Sequence, residues 1–127
     1  RVEIMSRING LIESAMRARP DWPYYHLAKY DAEVLEGQDD LVLQERFDTI
    51  RQLAPNERGL DYSLIATSFY AWNSLRIDQQ QWIARTLFYM RGDSRRELLK
   101  HVALLRQSTP SLCTQLPWTL VKSACRG

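Results

Sequence analysis

Two prolines, Pro20 and Pro55, constrain the fold of this chain more than any other feature, because each follows a stretch with helical periodicity. Proline lacks the amide proton that a helix interior needs, and its ring clashes with the preceding turn, so each one predicts a helix end. The two stops lie 35 residues apart. The apolar residues before the first stop recur at steps of three and four, and we expect them to face a core: Ile4, Ile8, Leu11, Ala15 and Ala18.

The same helical pattern continues between the two prolines and beyond the second. Asp21-Trp22-Pro23 can begin a second helix, which Gly37 ends, and a third runs from about Asp40 to Pro55. The residues of the second helix predicted to face inward are Tyr24, Leu27, Ala28 and Leu35. The inward residues predicted for the third and fourth helices are Leu43, Phe47, Ile50 and Ala54, then Leu60, Leu64, Ile65, Ser68, Trp72 and Leu75.

The C-terminal part also carries helix signals. Asp78 can cap a fifth helix, and Ser94 with Glu97 has the spacing of a capping box, which predicts a sixth helix from Ser94. The Pro110 and Pro117 positions favour one or two short terminal helices. Since no segment alternates polar and apolar residues as a strand would, the sequence predicts an all-α protein.

The interval between the two prolines is close to the period of the tetratricopeptide repeat, in which two antiparallel helices form each unit. We therefore predict an all-α single domain, residues 1–127, of tetratricopeptide-like helical hairpins stacked in a short solenoid. Its parts would be a partial repeat helix at 1–19, helix pairs at 23–54 and 57–91, and C-terminal capping helices at 94–127. An irregular helical bundle is the alternative, because it predicts the same amphipathic helices.

The net charge of +2 conceals an asymmetry along the chain. Residues 1–77 carry nine Lys/Arg against twelve Asp/Glu, whereas residues 78–127 carry eight against three. A basic half of this kind can attract phosphates, anionic lipid or an acidic polymer, although solvated helix faces also explain it. The predicted basic patch consists of Arg91, Arg95, Arg96, Lys100 and Arg106.

Residues with catalytic or metal-binding spacing are missing from the sequence. Neither His26 nor His101 has a second histidine or cysteine three or four residues away, and the acids at Asp31 and Glu33 do not converge with His26 on one ion. No glycine-rich phosphate loop or nucleophile elbow is present. We therefore predict no enzymatic activity, no cofactor and no metal site.

Four polar or aromatic residues are candidates for a binding groove. In a tetratricopeptide stack the first helix of each pair lines the concave face, and side chains off the core stripe point into it. Aromatic rings suit sugars, and Lys or Asn supplies hydrogen bonds. The candidates for holding an extended peptide or sugar chain are Tyr25, Lys29, Tyr70 and Asn73. Ordinary tyrosines with buried rings and hydroxyls at the rim are the alternative.

Cys113 and Cys125 are the one pair with covalent potential. They lie twelve residues apart and flank a segment that can fold as a turn and a short helix. In an oxidising compartment they would form a disulfide, whereas in the cytosol they would be free thiols. The spacing matches neither a redox C-x-x-C motif nor a zinc pair.

Several short runs carry a family resemblance. The segments RPDWPYYHLAKYDAE, LAPNERG, SFYAW and SLC resemble the soluble tetratricopeptide-like region of VpsP-type proteins, which accompany exopolysaccharide synthesis in gram-negative bacteria. The resemblance covers most of residues 8–113. It implies that a membrane anchor precedes the helical region and that the helices lie at the periplasmic face of the inner membrane. An anchor absent from this chain would explain its start at Arg1.

The resemblance also favours the Cys113–Cys125 disulfide, because the periplasm is oxidising. It implies a non-enzymatic interaction module that helps to assemble or regulate exopolysaccharide machinery by binding a protein partner, with the polysaccharide itself as a further ligand. The alternative function is a cytosolic regulatory domain that binds nucleic acid or another acidic partner through its basic C-terminal half.

Overall fold

The computed structural model describes residues 2–126, and every regular element among them is helical. The α-helices are α1 (Val2–Ala18), α2 (Pro23–Glu36), α3 (Asp40–Leu53), α4 (Arg58–Phe69), α5 (Ile77–Tyr89), α6 (Gly92–Leu105), α7 (Ser111–Gln115) and α8 (Trp118–Cys125). One turn of 3-10 helix (Trp72–Ser74) separates α4 from α5. The described residues contain no strand, so the all-α prediction is confirmed.

Most helix ends follow the local signals of the sequence. Pro23 is the first residue of α2, and Gly37 ends that helix with φ of 70°, a left-handed conformation that glycine adopts without strain. The Asp39 carboxylate caps α3 by accepting a hydrogen bond of 3.0 Å from the Val42 amide. The predicted capping box at Ser94 is wrong. Since α6 already begins at Gly92, Ser94 lies inside its first turn.

The chain divides into two compact units, unit 1 (Arg1–Leu64) and unit 2 (Ile65–Gly127). Within unit 1, α1 packs on α2 and α2 packs on α3. Within unit 2, α8 packs on α6 and α7, and α7 contacts the 3-10 turn. Unit 1 carries eight Lys/Arg and twelve Asp/Glu, a balance of −4, and unit 2 carries nine against three, a balance of +6. Each unit therefore contains its own helical core and its own sign of charge.

The cores include the residues of the third and fourth predicted helices that the sequence places inward. Every residue predicted to face inward from the third and fourth helices is buried. In unit 1 the rings of Tyr30 and Phe47 meet edge to face with centroids 6.4 Å apart. In unit 2 the rings of Phe69 and Trp72 lie 6.2 Å apart. The helical period alone identified most of these positions.

The predicted inward face of α1 is wrong. None of the residues of α1 is buried, and the exposed fractions of Ile4 and Leu11 are 62% and 73%. The face of α1 toward α2 is the one that carries Met5, Asn9 and Met16, which are partly buried. The apolar stripe of α1 therefore lies in solvent.

The inward face predicted for α2 is also partly wrong. Tyr24 and Leu35 are exposed, whereas His26, Tyr30 and Glu33 are buried. Because His26 and Glu33 find polar partners inside unit 1, the helix can turn these side chains inward without leaving them unsatisfied. A purely apolar criterion does not detect such a face.

A disulfide joins the last two helices of unit 2. Cys113 of α7 and Cys125 of α8 are bonded, with their Cα atoms 5.9 Å apart. The bond closes a loop of twelve residues around the turn at Pro117.

Replacing both cysteines, Cys113→Ser with Cys125→Ser, is expected to lower the free energy of unfolding by about 3 kcal/mol, because the unfolded chain regains the entropy of the open loop. Urea denaturation with and without reductant measures this. Reductant should destabilise the native chain by the same amount and leave the double variant unchanged. Equal stability of the two proteins without reductant would contradict a stabilising bond.

Candidate functional site

Polar side chains join α1 to α2 beside the partly buried Met5 and Met16. The Asn9 amide donates to the Glu36 carboxylate at 3.0 Å, and the Asn9 carbonyl oxygen accepts from Lys29 Nζ at 3.2 Å. Lys29 also forms an ion pair of 2.9 Å with Glu13, which lowers the pKa of the Glu13 carboxyl. Partly exposed contacts of this type contribute little free energy each. The helix α1 is therefore attached without burying its apolar stripe.

An open groove of about 740 Å³ runs between α1 and the C-terminal end of α2. Val2, Met5 and Leu35 supply its apolar walls, and Asn9 and Glu36 lie among its polar lining. The exposed stripe Ile4, Ile8 and Leu11, hereafter the α1 stripe, occupies the same helix. None of the α1 stripe residues lines the groove, so the groove and the stripe occupy different faces of α1.

Arg46 of α3 is the centre of a buried network in unit 1. Its guanidinium donates two parallel hydrogen bonds to the Glu33 carboxylate, of 3.0 and 3.2 Å, and a third of 2.9 Å to His26 Nδ1. The second ring nitrogen of His26 lies 2.8 Å from the Pro20 carbonyl oxygen. The network thus connects α2, α3 and the turn that follows α1.

The partners of His26 define its tautomer. A guanidinium can only donate, so Nδ1 accepts, and the ring proton lies on Nε2, where it donates to the Pro20 carbonyl. Both ring nitrogens are thereby used within the fold. His26 is therefore a structural residue, and no ring nitrogen remains for acid-base or ligand chemistry.

The sequence contained a signal for this network. His26, Tyr30 and Glu33 have the spacing of one helix face, so the sequence places the His and the Glu on one side of α2 with an aromatic residue, although this spacing does not show that they are buried. The third member, Arg46, lies on another helix, and nothing in the sequence identified it as their common partner.

A second cleft of about 420 Å³ lies beside this network and gathers three cations, Arg17, Lys29 and Arg46. Lys29 is paired with Glu13, which also lines the cleft, and Arg46 is paired with Glu33. Arg17 donates to the Ser14 hydroxyl at 3.1 Å. Because two of the three cations are already neutralised, the cleft is a weak candidate for an anion site.

The four predicted groove residues belong to two units. Tyr25 and Lys29 lie one turn apart on α2 in unit 1, where the Lys29 ammonium is already engaged with α1. In unit 2 the Tyr70 hydroxyl lies 2.9 Å from His101 Nδ1, and the Asn73 carbonyl oxygen accepts a hydrogen bond of 2.6 Å from the Ser111 hydroxyl. Binding of a peptide or sugar by these residues stays a prediction.

The predicted basic patch is partly neutralised within α6. Arg96 pairs with Asp93, and Lys100 pairs with Glu97 at 2.9 Å. Arg95 donates to the Phe88 carbonyl oxygen at 3.3 Å. No carboxylate among residues 2–126 forms an ion pair with Arg91 or Arg106.

One carboxyl group of unit 1 titrates in an unusual range. Asp61, near the start of α4, is partly buried, and the loss of hydration raises its pKa to about 6 despite the nearby Arg51. Glu57 adds a further upward shift to the pKa of Asp61. Glu57 also accepts a hydrogen bond from the Tyr24 hydroxyl, which raises the pKa of Tyr24.

The described residues form neither a metal centre nor a membrane-spanning segment. Residues 2–126 contain no cluster of three His, Cys, Asp or Glu side chains suited to a metal ion. None of the helices in that range has the length and apolar character required to cross a bilayer. The chain matches no protein-family model, no curated protein and no solved structure.

The substitution Arg46→Met is expected to destabilise the protein by about 3 kcal/mol or more, because it leaves the buried Glu33 carboxylate without its ion-pair partner. Chemical denaturation measures the loss, and Arg58→Met, at an exposed position of α4, is the matched control. Adding Glu33→Leu to Arg46→Met should restore part of the stability, since the uncompensated charge disappears. A loss no greater than that of the control would contradict the role of Arg46.

The substitution Asp61→Asn is expected to raise the melting temperature at neutral pH and to leave it unchanged below pH 4. The pKa of Asp61 is raised from an ordinary value of 3.8 to about 6 in the folded protein. Stability contributed by the neutral carboxyl is therefore present below pH 3.8 and lost as the pH rises through 6. Thermal unfolding of both proteins across this range measures the difference, and Asp48→Asn on α3 is a control. A difference that does not vary with pH would exclude Asp61 titration as the cause.

Proposed function

We propose that this chain is a non-enzymatic, all-α interaction module that binds an amphipathic helix of a partner protein along the α1 stripe. The observation that carries the proposal is the solvent exposure of Ile4, Ile8 and Leu11, which follow one another at steps of four and three residues on one face of α1. Anchors at this spacing are those by which one helix packs on another. Burying them removes apolar surface from water, which supplies the free energy of association.

Charge and shape indicate the character of the partner. Unit 1 has a net charge of −4, so a partner helix with basic residues beside its apolar face is electrostatically matched. The exposed face of α1 gives such a helix an open apolar strip against which to pack. The partner helix would therefore cover the apolar surface that unit 1 leaves exposed on α1.

The finer architecture and the cellular role form part of the same proposal. Successive packing of α1 on α2 and α2 on α3 is compatible with a tetratricopeptide-like stack, and equally with a bundle. The resemblance to VpsP-type proteins supports a role beside exopolysaccharide assembly or export machinery at the periplasmic face of the inner membrane. The Cys113–Cys125 bond supports an oxidising compartment.

The double substitution Ile8→Glu with Leu11→Glu is expected to abolish partner binding while changing the melting temperature little, because both side chains are exposed. In a bacterium that depends on this protein, exopolysaccharide export should fall to the level of the deletion strain. The substitution Leu104→Glu, at an equally exposed leucine of α6 in unit 2, is the matched control and should leave export normal.

Photo-crosslinking from position 11, compared with position 104, identifies what covers the α1 stripe. A crosslink from position 11 to a component of the export machinery supports the proposal. Normal export with the double variant would overturn it. Sedimentation velocity tests whether the chain self-associates. Self-association that is lost in the double variant would mean that a second copy of this chain, and not a partner protein, occupies the stripe.

A further inference from the structure

Two aromatic rings stand in solvent at the C-terminal end of α5. The exposed fractions of Phe88 and Tyr89 are 55% and 82%. Their ring centroids lie 5.0 Å apart at an interplanar angle of 89°, so one ring rests with its edge on the other. Adjacent exposed aromatic side chains are costly to hydrate and are enriched where proteins meet other surfaces.

Half of the unbalanced positive charge of unit 2 is carried by residues near this pair in sequence. All three acidic residues of the unit are engaged by a cation, Asp78 by Arg76, Asp93 by Arg96 and Glu97 by Lys100. Six cations remain without an acidic partner among residues 65–126, and they account for the net charge of +6. Three of the six flank the aromatic pair in sequence, and they are Arg85, Arg91 and Arg95.

Local geometry brings these arginines close to the rings. Arg85 precedes Phe88 by one helical turn, so both lie on the exposed side of α5. The Arg95 guanidinium reaches back from α6 to the Phe88 carbonyl oxygen at 3.3 Å. Arg91 is exposed in the short connection between the two helices. The result is an exposed aromatic pair with arginines before and after it in the chain, one of which is bonded to the Phe88 backbone.

The mutual orientation of the rings distinguishes between anionic partners. Single-stranded nucleic acid stacks its bases on free ring faces, and in an edge-to-face pair one ring face is covered by the neighbouring ring. Phe88 and Tyr89 are almost perpendicular, and Phe88 has no polar atom with which to bind a base edge. A wedge of two rings beside arginines fits the interface of a bilayer, where aromatic side chains lie among the headgroups and cations bind the phosphates.

We propose that unit 2 docks on an anionic phospholipid surface, with Phe88 and Tyr89 inserted among the headgroups and with Arg85, Arg91 and Arg95 against the lipid phosphates. This contact is peripheral and uses a different surface from the α1 stripe, so it goes beyond the binding of a partner protein. It would orient unit 2 at a membrane independently of any covalent or spanning anchor.

Co-sedimentation with vesicles tests the proposal on the intact chain. Binding is expected with vesicles of phosphatidylcholine mixed with phosphatidylglycerol, and little with phosphatidylcholine alone. The double substitution Phe88→Ser with Tyr89→Ser should weaken binding by about tenfold or more, since it removes the apolar insertion. The control Trp22→Ser, which removes an exposed aromatic ring beside Arg19 in the acidic unit, should have no effect.

A second pair of variants separates docking from general attraction between opposite charges. Arg91→Gln and Lys122→Gln each remove one unpaired cation of unit 2, but only Arg91 is near the aromatic pair in sequence. We expect about a fivefold loss of vesicle binding for Arg91→Gln, and less than about twofold for Lys122→Gln.

Three results would overturn the proposal. They are an absence of binding to the anionic vesicles, equal losses for Arg91→Gln and Lys122→Gln, and salt-dependent binding of a single-stranded thymidine oligonucleotide without vesicle binding. The last result would assign the surface to nucleic acid. If the aromatic double variant does not fold, as judged by circular dichroism, the two glutamine variants still decide the question.

Discussion

The Arg46 guanidinium is the contact on which the arrangement of unit 1 depends. Its three hydrogen bonds allow Glu33 and His26 to face inward from α2, and His26 in turn holds the Pro20 carbonyl of the turn after α1. Without that cation, α2 would bury an uncompensated carboxylate, at a cost of several kcal/mol. The orientation of α2 then decides which of its residues meet α1, and these include Lys29 and Glu36.

The apolar pattern predicts the buried residues of some helices and not of others, because α2 buries polar side chains whose partner lies on α3. In α3 and α4 the apolar period coincides with the buried face, so Phe47, Ile50 and Leu64 were identified correctly. In α2 the buried face contains His26 and Glu33, which a hydrophobic pattern assigns to solvent. Pairing between helices compensates these polar groups, and a sequence read one helix at a time contains no measure of that compensation.

Some features of the candidate surfaces could likewise be predicted from the sequence, and others could not. The accumulation of positive charge in the C-terminal half could be predicted by counting residues. Which cations are free could not, because ion pairs such as Arg96 with Asp93 depend on side-chain geometry. The apolar residues of α1 were recognised from their period, but the same pattern is expected for a core-facing helix and for a docking helix. Exposure, which only the structure supplies, shows that Ile4 and Leu11 do not face the core of unit 1.

The Cys113–Cys125 bond changes how the last two helices of unit 2 can open. Cys125 is the last residue of α8, so the bond fastens the C-terminal end of that helix to α7. Helix ends usually fray one turn at a time, and fraying supplies a starting point for stepwise unfolding. Here α8 cannot peel away alone. Its release requires α7 to leave with it, so the two short helices open as one cooperative piece.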